Sequence, residues 1–298
     1  MRRMSPEAPT STALAPAETL TPDARVRAYH QRSKHHLQRY AAGPETLDWD
    51  AQPDPFRRYA AAPLRRLPLS ADADEGPSWP QLFIPGAVEP RPFDLASVGR
   101  LFELSFALAA WKQQGPDRWA VRCVPSSGKL HPTEAYLVSQ GLGDLPDGLH
   151  HYAPREHGLE QRASARLDGP PRLWLGLSSI HWREAWKYGE RAFRYCQLDI
   201  GHALGALRYA AAELGWRARV VGAWPPDRLA ATLGLDRDAD YPDRAEREEP
   251  ELLVELRRDE QQPSTPPSWP AGTTWQGTAN RLDRHPMYRW PVIDEVAA

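Results

Sequence analysis

Pro125-Ser126-Ser127-Gly128-Lys129-Leu130-His131-Pro132 lies between two runs that read as β-strands, residues 119–124 and 134–140. Two serines, a glycine and a lysine in such a place offer hydroxyls, close backbone approach, successive N–H groups and one positive charge. Together these can form an anion-binding nest. The same residues also suit an ordinary loop with Pro and Gly as punctuation. On the N-terminal side, residues 94–114 read as the clearest helix. Asp94 caps its first turn. Leu95, Val98, Leu101, Phe102, Leu104, Ser105, Leu108 and Trp111 give it a broad apolar face, and Gly115-Pro116 ends it. On the C-terminal side come short strands at 149–153 and 173–177, then a long helical stretch from about 182 to 214, broken near Gly189 and capped by Gly215. A strand at 219–223, a helix at 227–233 and a strand at 251–256 follow.

Further out the chain changes character. Residues 1–21 hold Ala, Pro, Ser and Thr with almost no large apolar side chain and read as a disordered tail. A helix starts at Pro22, and Gly43-Pro44 stops it. Residues 44–92 are Pro-rich without periodicity and read as an ordered, irregular loop region. Residues 261–272 read as a Pro- and Ser-rich linker, and 275–298 begin something new. The expected organisation is therefore a tail (1–21), one domain (22–258) and a linker with a C-terminal extension (259–298).

Composition excludes several classes. The chain has 298 residues, is 41 % hydrophobic and 26 % charged, and has a mean hydropathy of −0.63 with no run long enough for a membrane span. Net charge is −2, so no global field favours nucleic acid or an anionic membrane. Cys123 and Cys196 read as free thiols of a reducing cytosol, and Arg2-Arg3 lack the apolar run of a secretory signal, which points to a cytoplasmic protein. Metal-ligand spacings, a Walker loop, GxGxxG and GxSxG are all missing from the sequence. Of the 37 basic residues only Lys34, Lys112, Lys129 and Lys187 are lysines, and Lys differs from Arg in having a tunable pKa.

Two of those lysines fall in local clusters. Arg32-Ser33-Lys34-His35-His36 on the first helix suits a phosphate, or is simply a solvated basic face. Lys187-Tyr188 can form a proton-transfer pair if burial beside Arg191 and Arg194 disfavours the ammonium, or Lys187 snorkels from an amphipathic helix. On the helix after it, Gly201 and Gly205 with Leu204, Leu207 and Ala211 offer a face for close packing against a partner.

Taken in order, these pieces resemble one family. Arg122-x-x-Pro125-Ser126-Ser127-Gly128-x-Leu130-x-Pro132-x-Glu134-x-Tyr136-Leu137-Val138 is similar to the signature of FMN-dependent nitroreductase-fold proteins. His151-Tyr152-x-Pro154-x-x-His157-x-Leu159-Glu160, Lys187-Tyr188-Gly189-x-Arg191-x-x-Arg194-Tyr195 and Asp199-x-Gly201-His202 resemble the SagB/ThcOx branch, the azoline dehydrogenases of thiazole- and oxazole-containing peptide biosynthesis. Tyr29-His30-x-Arg32-Ser33-Lys34-His35 and Gly277-x-x-Asn280-Arg281-Leu282 resemble the first half, and the junction, of proteins with two nitroreductase-like halves. Lys129 and His131 depart from the branch, where Ala and Tyr are common, and Arg257 and Arg258 are candidates for its C-terminal basic pair.

The resemblance implies an α+β nitroreductase-like fold, a mixed, mainly antiparallel sheet flanked by helices. It implies FMN held by Arg32, Ser33, Lys34, Pro125, Ser126, Ser127, Gly128, Lys129 and His202, and catalysis by Lys187 and Tyr188. The implied activity is oxidation of azolines in peptide maturation, on a homodimer or a pseudo-dimer with a second nitroreductase-like half. Two alternatives remain at this stage: an NAD(P)H-dependent reductase of a small acceptor, and a non-catalytic half that completes a pseudo-dimer or docks a peptide.

Overall fold

Every residue of the strand that leaves the 125–132 loop, Thr133–Gln140, is buried, because its two faces are covered by different helices. In the computed structural model, residues 20–70, 76–222, 224–242, 245–258, 262–266 and 268–298 are described. The expected tail falls almost wholly outside them, except that Thr21 caps the first helix by accepting from the N–H of Ala24.

In chain order the elements are α1 (Pro22–Arg32), β1 (Tyr59–Ala60), β2 (Leu64–Arg66), α2 (Leu95–Ser105), β3 (Leu108–Gln114), β4 (Asp117–Arg122), β5 (Thr133–Gln140), β6 (Gly148–Ala153), β7 (Gly158–Ser164) and β8 (Arg172–Ser179). Then come α3 (His181–Tyr188), α4 (Ala192–Glu213), β9 (Trp216–Val220), α5 (Pro226–Leu233), β10 (Glu249–Arg258), β11 (Thr274–Trp275), β12 (Thr278–Ala279) and α6 (Pro291–Ala297). The main sheet runs β11-β7-β6-β5-β8-β10-β9, with β2 also on β7. Each strand pairing among the described residues is antiparallel. The architecture is the expected α+β one.

Period-two alternation assigns each strand residue to a layer. Leu137 of β5, Leu175 and Leu177 of β8, and Val254 and Leu256 of β10 face α2 and α4, where they meet Leu101, Phe102, Leu207 and Ala211. Tyr136 and Val138, Trp174 and Leu253 face the other way, onto Leu229 and Leu233 of α5. A strand covered on both sides reads as a continuous apolar run, which is how β5 and β8 appear in the sequence.

Several boundaries differ from expectation. The helix expected over 94–114 ends at Ser105, whose Oγ donates back to the Leu101 carbonyl. Residues 108–114 instead form β3, the first arm of an exposed hairpin with β4 that turns at Gly115, where φ is +58°. Leu108 and Trp111 extend the helical spacing by coincidence. Trp111 is held under Arg118 of the facing strand, 4.4 Å from ring centroid to guanidinium. The first helix stops at Arg32, well before Gly43, because the Ser33 carbonyl and hydroxyl are taken by Arg191 and Arg194. The strand expected over 219–223 forms earlier, as β9, starting directly after Gly215. β7 was missed as a strand in its own right.

The segment after β10 returns to the body. Trp269 Nε1 donates to the Thr232 carbonyl, β11 adds to the edge of β7, β12 pairs with β1, and α6 packs against α1 and α4. On α4, Leu207 and Ala211 are buried in the chain's own core, while a Cβ at Gly201 or Gly205 would meet nothing within 4 Å. The face left open is that of the two glycines together with exposed Leu198, while Tyr209 packs against Trp79 and Phe83.

Candidate functional site

Three residues in the 125–132 loop take the left-handed conformation: Gly128 and Lys129 at φ +60° and His131 at +51°. Only glycine does this without cost, so two strained side-chain-bearing residues in one short loop indicate that neighbours hold it in place. The restraints are visible. His131 N–H donates to Ser126 Oγ at 2.9 Å, and Lys129 N–H to the Ser126 carbonyl at 3.1 Å. Arg183 Nη1 donates to the His131 carbonyl at 2.7 Å, and Ser126 Oγ donates to Glu184 Oε1 at 3.4 Å.

The Gly128 position explains the Gly. An added Cβ would lie 2.8 Å from Tyr188 Oη and 3.1 Å from Lys187 Nζ. The two segments singled out in the sequence therefore touch. Helical spacing puts Glu184, Lys187 and Tyr188 on one face of α3, and Lys187 Nζ also lies 5.3 Å from the Trp49 ring centroid. Lys129 turns to Trp119, 5.1 Å from its ring centroid.

The basic cluster on α1 is tied to the start of α4. Arg32 is ion-paired with Glu190. The Ser33 carbonyl accepts from Arg191 at 2.6 Å and its hydroxyl from Arg194 at 2.9 Å. Lys34 Nζ contacts only Gln31 Oε1, at 3.3 Å, and has no carboxylate partner among the described residues. Tyr188 and Tyr195 pack with ring centroids 4.6 Å apart, and Tyr195 Oη accepts from Arg191, so the two halves of the site are continuous along α3 and α4. His202 is exposed, one turn beyond Asp199 on α4. Pro125 lines a small cavity behind the loop.

That cavity, about 10 Å³, is walled by Arg122, Ser126, His131, Thr133 and Asp199. Arg122 Nε, His131 Nε2 and Thr133 Oγ1 are buried there without a partner, which suits one bound water. Burial and the Arg122 and Arg183 charges push His131 down to about 3, so its imidazole is neutral. A cavity of about 600 Å³ lies elsewhere, between His181 and Trp182 of α3, Glu249, and Trp290 and Asp294, and contains none of the expected site residues.

Sequence reading missed the charged layer beneath the loop. Arg183 is paired with Glu134, Glu134 Oε2 is 3.0 Å from His151 Nε2, and His151 Nδ1 is 2.9 Å from Glu160. Burial works against the charge on His151, but the two flanking carboxylates win and raise it to about 9. Glu184 was also missed. Burial, then the neighbouring Asp199, pushes its carboxyl up to about 9. Its place one turn before Lys187 was the available signal.

The Nitroreductase family profile matches residues 109–242. A protein of Methanocaldococcus jannaschii named as a nitroreductase, MJ1384, is 24% identical over 132 residues, which are 40% of this chain and 67% of that one. The trifolitoxin-processing protein TfxB of Rhizobium leguminosarum bv. trifolii is 29% identical over 133 residues, 39% of this chain and 36% of TfxB. A crystal structure of an Anabaena variabilis protein described as a nitroreductase superposes with a TM-score of 0.64 at 24% identity, covering 91% of this chain and 53% of that chain. This chain thus spans about a third of TfxB and about half of the Anabaena protein.

Proposed function

We propose, from the premise that this chain is a nitroreductase-family protein, that it is an FMN-dependent oxidoreductase acting in peptide maturation, with azoline-to-azole oxidation as its reaction. One observation carries the reading. The strained, serine-rich loop at Gly128 is in contact with Lys187 and Tyr188, and that contact runs on to a basic cluster at Arg32–Lys34. The resemblance of the Lys187-Tyr188 segment to azoline dehydrogenases and the similarity to a trifolitoxin-processing protein support peptide chemistry.

The residues fit FMN. Ser126, Ser127 and Gly128 present hydroxyl and backbone groups to a flat ring, and a Cβ at Gly128 would close the space before Tyr188 and Lys187. Ser33 and Lys34, with Arg191 and Arg194, suit a phosphate. Arg32 arrives already neutralised by Glu190, so Lys34, Arg191 and Arg194, which have no carboxylate partner among the described residues, carry the positive charge. When bound, FMN supplies a two-electron hydride acceptor at N5. This chain's own part is to orient the substrate through Tyr188 and to take a proton at Lys187 Nζ.

Purified chain titrated with FMN is expected to show a flavin absorbance spectrum perturbed from that of free FMN. Lys34→Ala is expected to weaken binding by about 10- to 150-fold, because a charge-assisted phosphate contact contributes about 1.5–3 kcal/mol. A chain that stays colourless with added FMN rejects the cofactor. Unchanged affinity in the variant rejects the phosphate assignment.

The open glycine face of α4 supports association with a second copy of this chain. Light scattering at micromolar concentration is expected to give twice the chain mass. A well-behaved monomer with bound flavin contradicts that assignment.

A further inference from the structure

The cavity of about 600 Å³ lies at the other end of α3 from Lys187, and its volume is that of a small-molecule site. Its walls come from the start of α3, the start of β10 and the segment that runs from Pro286 into α6. Three aromatic side chains line it. Two of them have their polar atoms tied elsewhere: Trp182 Nε1 donates to Asp283 Oδ2 at 2.8 Å, and Tyr288 Oη accepts the Thr46 N–H at 3.2 Å. Trp290 stacks on Tyr288, with ring centroids 5.9 Å apart. These residues offer the cavity ring surface.

The charges on the same walls do not balance. Glu246 has both carboxylate oxygens on backbone N–H groups, those of Leu282 and Asp283, at 2.8 and 2.7 Å. Arg247 is held by Asp238 at 3.1 Å and by the Leu235 carbonyl at 2.9 Å. Burial pushes His181 down to about 4, so its imidazole adds no charge at neutral pH. That leaves half-buried Glu249 and exposed Asp294, neither with a hydrogen-bond or ion-pair partner among the described residues, against the exposed guanidinium of Arg289. Burial, then the Asp294 charge, raises the Glu249 carboxyl above its ordinary value, so the two carboxylates oppose each other.

We propose that this cavity binds a protonated primary amine carried on an apolar body, with the ammonium at Glu249 and Asp294 and the body against Trp182, Tyr288 and Trp290. An ammonium has donors only and a carboxylate acceptors only, so the two are matched. Its charge relieves the repulsion between Glu249 and Asp294, and aromatic faces attract cations. An anion would add to that repulsion, and a neutral ligand would leave both carboxylates unpaired. A metal ion would have no use for the aromatic walls, and no group of three metal-ligating side chains occurs among the described residues.

The site does not rest on the flavin reading, and its test uses the full chain without cofactor. Calorimetric titration at pH 8 compares phenethylamine with 2-phenylethanol and 3-phenylpropanoate, which keep the aromatic body and lose or invert the charge. Phenethylamine is expected to bind with a Kd of about 1 mM or below, at least about 10-fold tighter than either. Glu249→Gln, which keeps the side-chain volume, is expected to weaken the amine about 10-fold or more, and the exposed Asp294→Asn about 3-fold. No amine binding, equal affinity for the alcohol, or affinity unchanged in both variants overturns the inference. Should Glu249→Gln not fold, the three-probe comparison on the parent and Asp294→Asn decide it. Nα-acetyllysinamide, which presents the ammonium as a peptide side chain, separates the two sources of such a group. Tighter binding than phenethylamine assigns a peptide lysine, and weaker binding a free amine.

Discussion

Lys187→Ala is expected to leave FMN bound and to slow flavin reduction by an azoline peptide about 10²–10⁴-fold, the usual effect of losing a general base. Lys187 Nζ lies beside Gly128, at the point where the loop would meet a substrate, and its helix neighbours Glu184 and Tyr188 face the same way. Tyr188→Phe removes a hydroxyl that would lie 2.8 Å from a Cβ at Gly128 and is expected to lower the rate with flavin still held. The measurement is anaerobic flavin bleaching in single turnover, after confirming flavin content. Rates within about threefold of the parent for Lys187→Ala reject Lys187 as the base and favour a role in packing against Trp49.

Arg183→Met is expected to destabilise the fold by about 3–5 kcal/mol, since breaking a buried ion pair leaves an uncompensated charge in the interior. Arg183 and Glu134 are both buried, and the guanidinium also donates to the His131 and Asp54 carbonyls at 2.7 and 3.1 Å. Its loss leaves Glu134 to His151 and frees the strained His131 turn. Urea denaturation checks the size of the effect. A loss below about 1 kcal/mol contradicts the buried-pair account. Replacing Glu134 by Leu in the same chain is expected to recover part of the stability, because the orphaned charge is then removed as well.

The two variants separate what the 125–132 loop does from what holds it. Lys187 reaches the loop from the side where chemistry is proposed, and Arg183 supports it from beneath. Successive positions on one short helix therefore serve opposite faces of the loop, with Arg183 and Trp186 turned inward and Lys187 and Tyr188 half-buried at the Gly128 edge.

Local chemistry made much of this legible in the residue string. The break at Gly189, the stop at Gly215 and the strands on either side of the 125–132 loop were readable, because turns, caps and periodicity act over a few residues, whereas the approach of Lys187 and Tyr188 to Gly128 was not. Nor was the end of α2. Leu108 and Trp111 keep the helical period, and only the facing strand β4 draws them into a hairpin. Glu184 looks like any helical glutamate until α4 brings Asp199 to it and the loop brings Ser126. The Arg183–Glu134–His151–Glu160 layer likewise draws on α3, β5, β6 and β7, which are far apart in sequence. The sequence by itself determined most of the helices, the strands flanking the 125–132 loop and which residues carry reactive groups. The tertiary structure decided which of those groups lose water and which charges they then face, because burial of a side chain depends on what distant segments cover it.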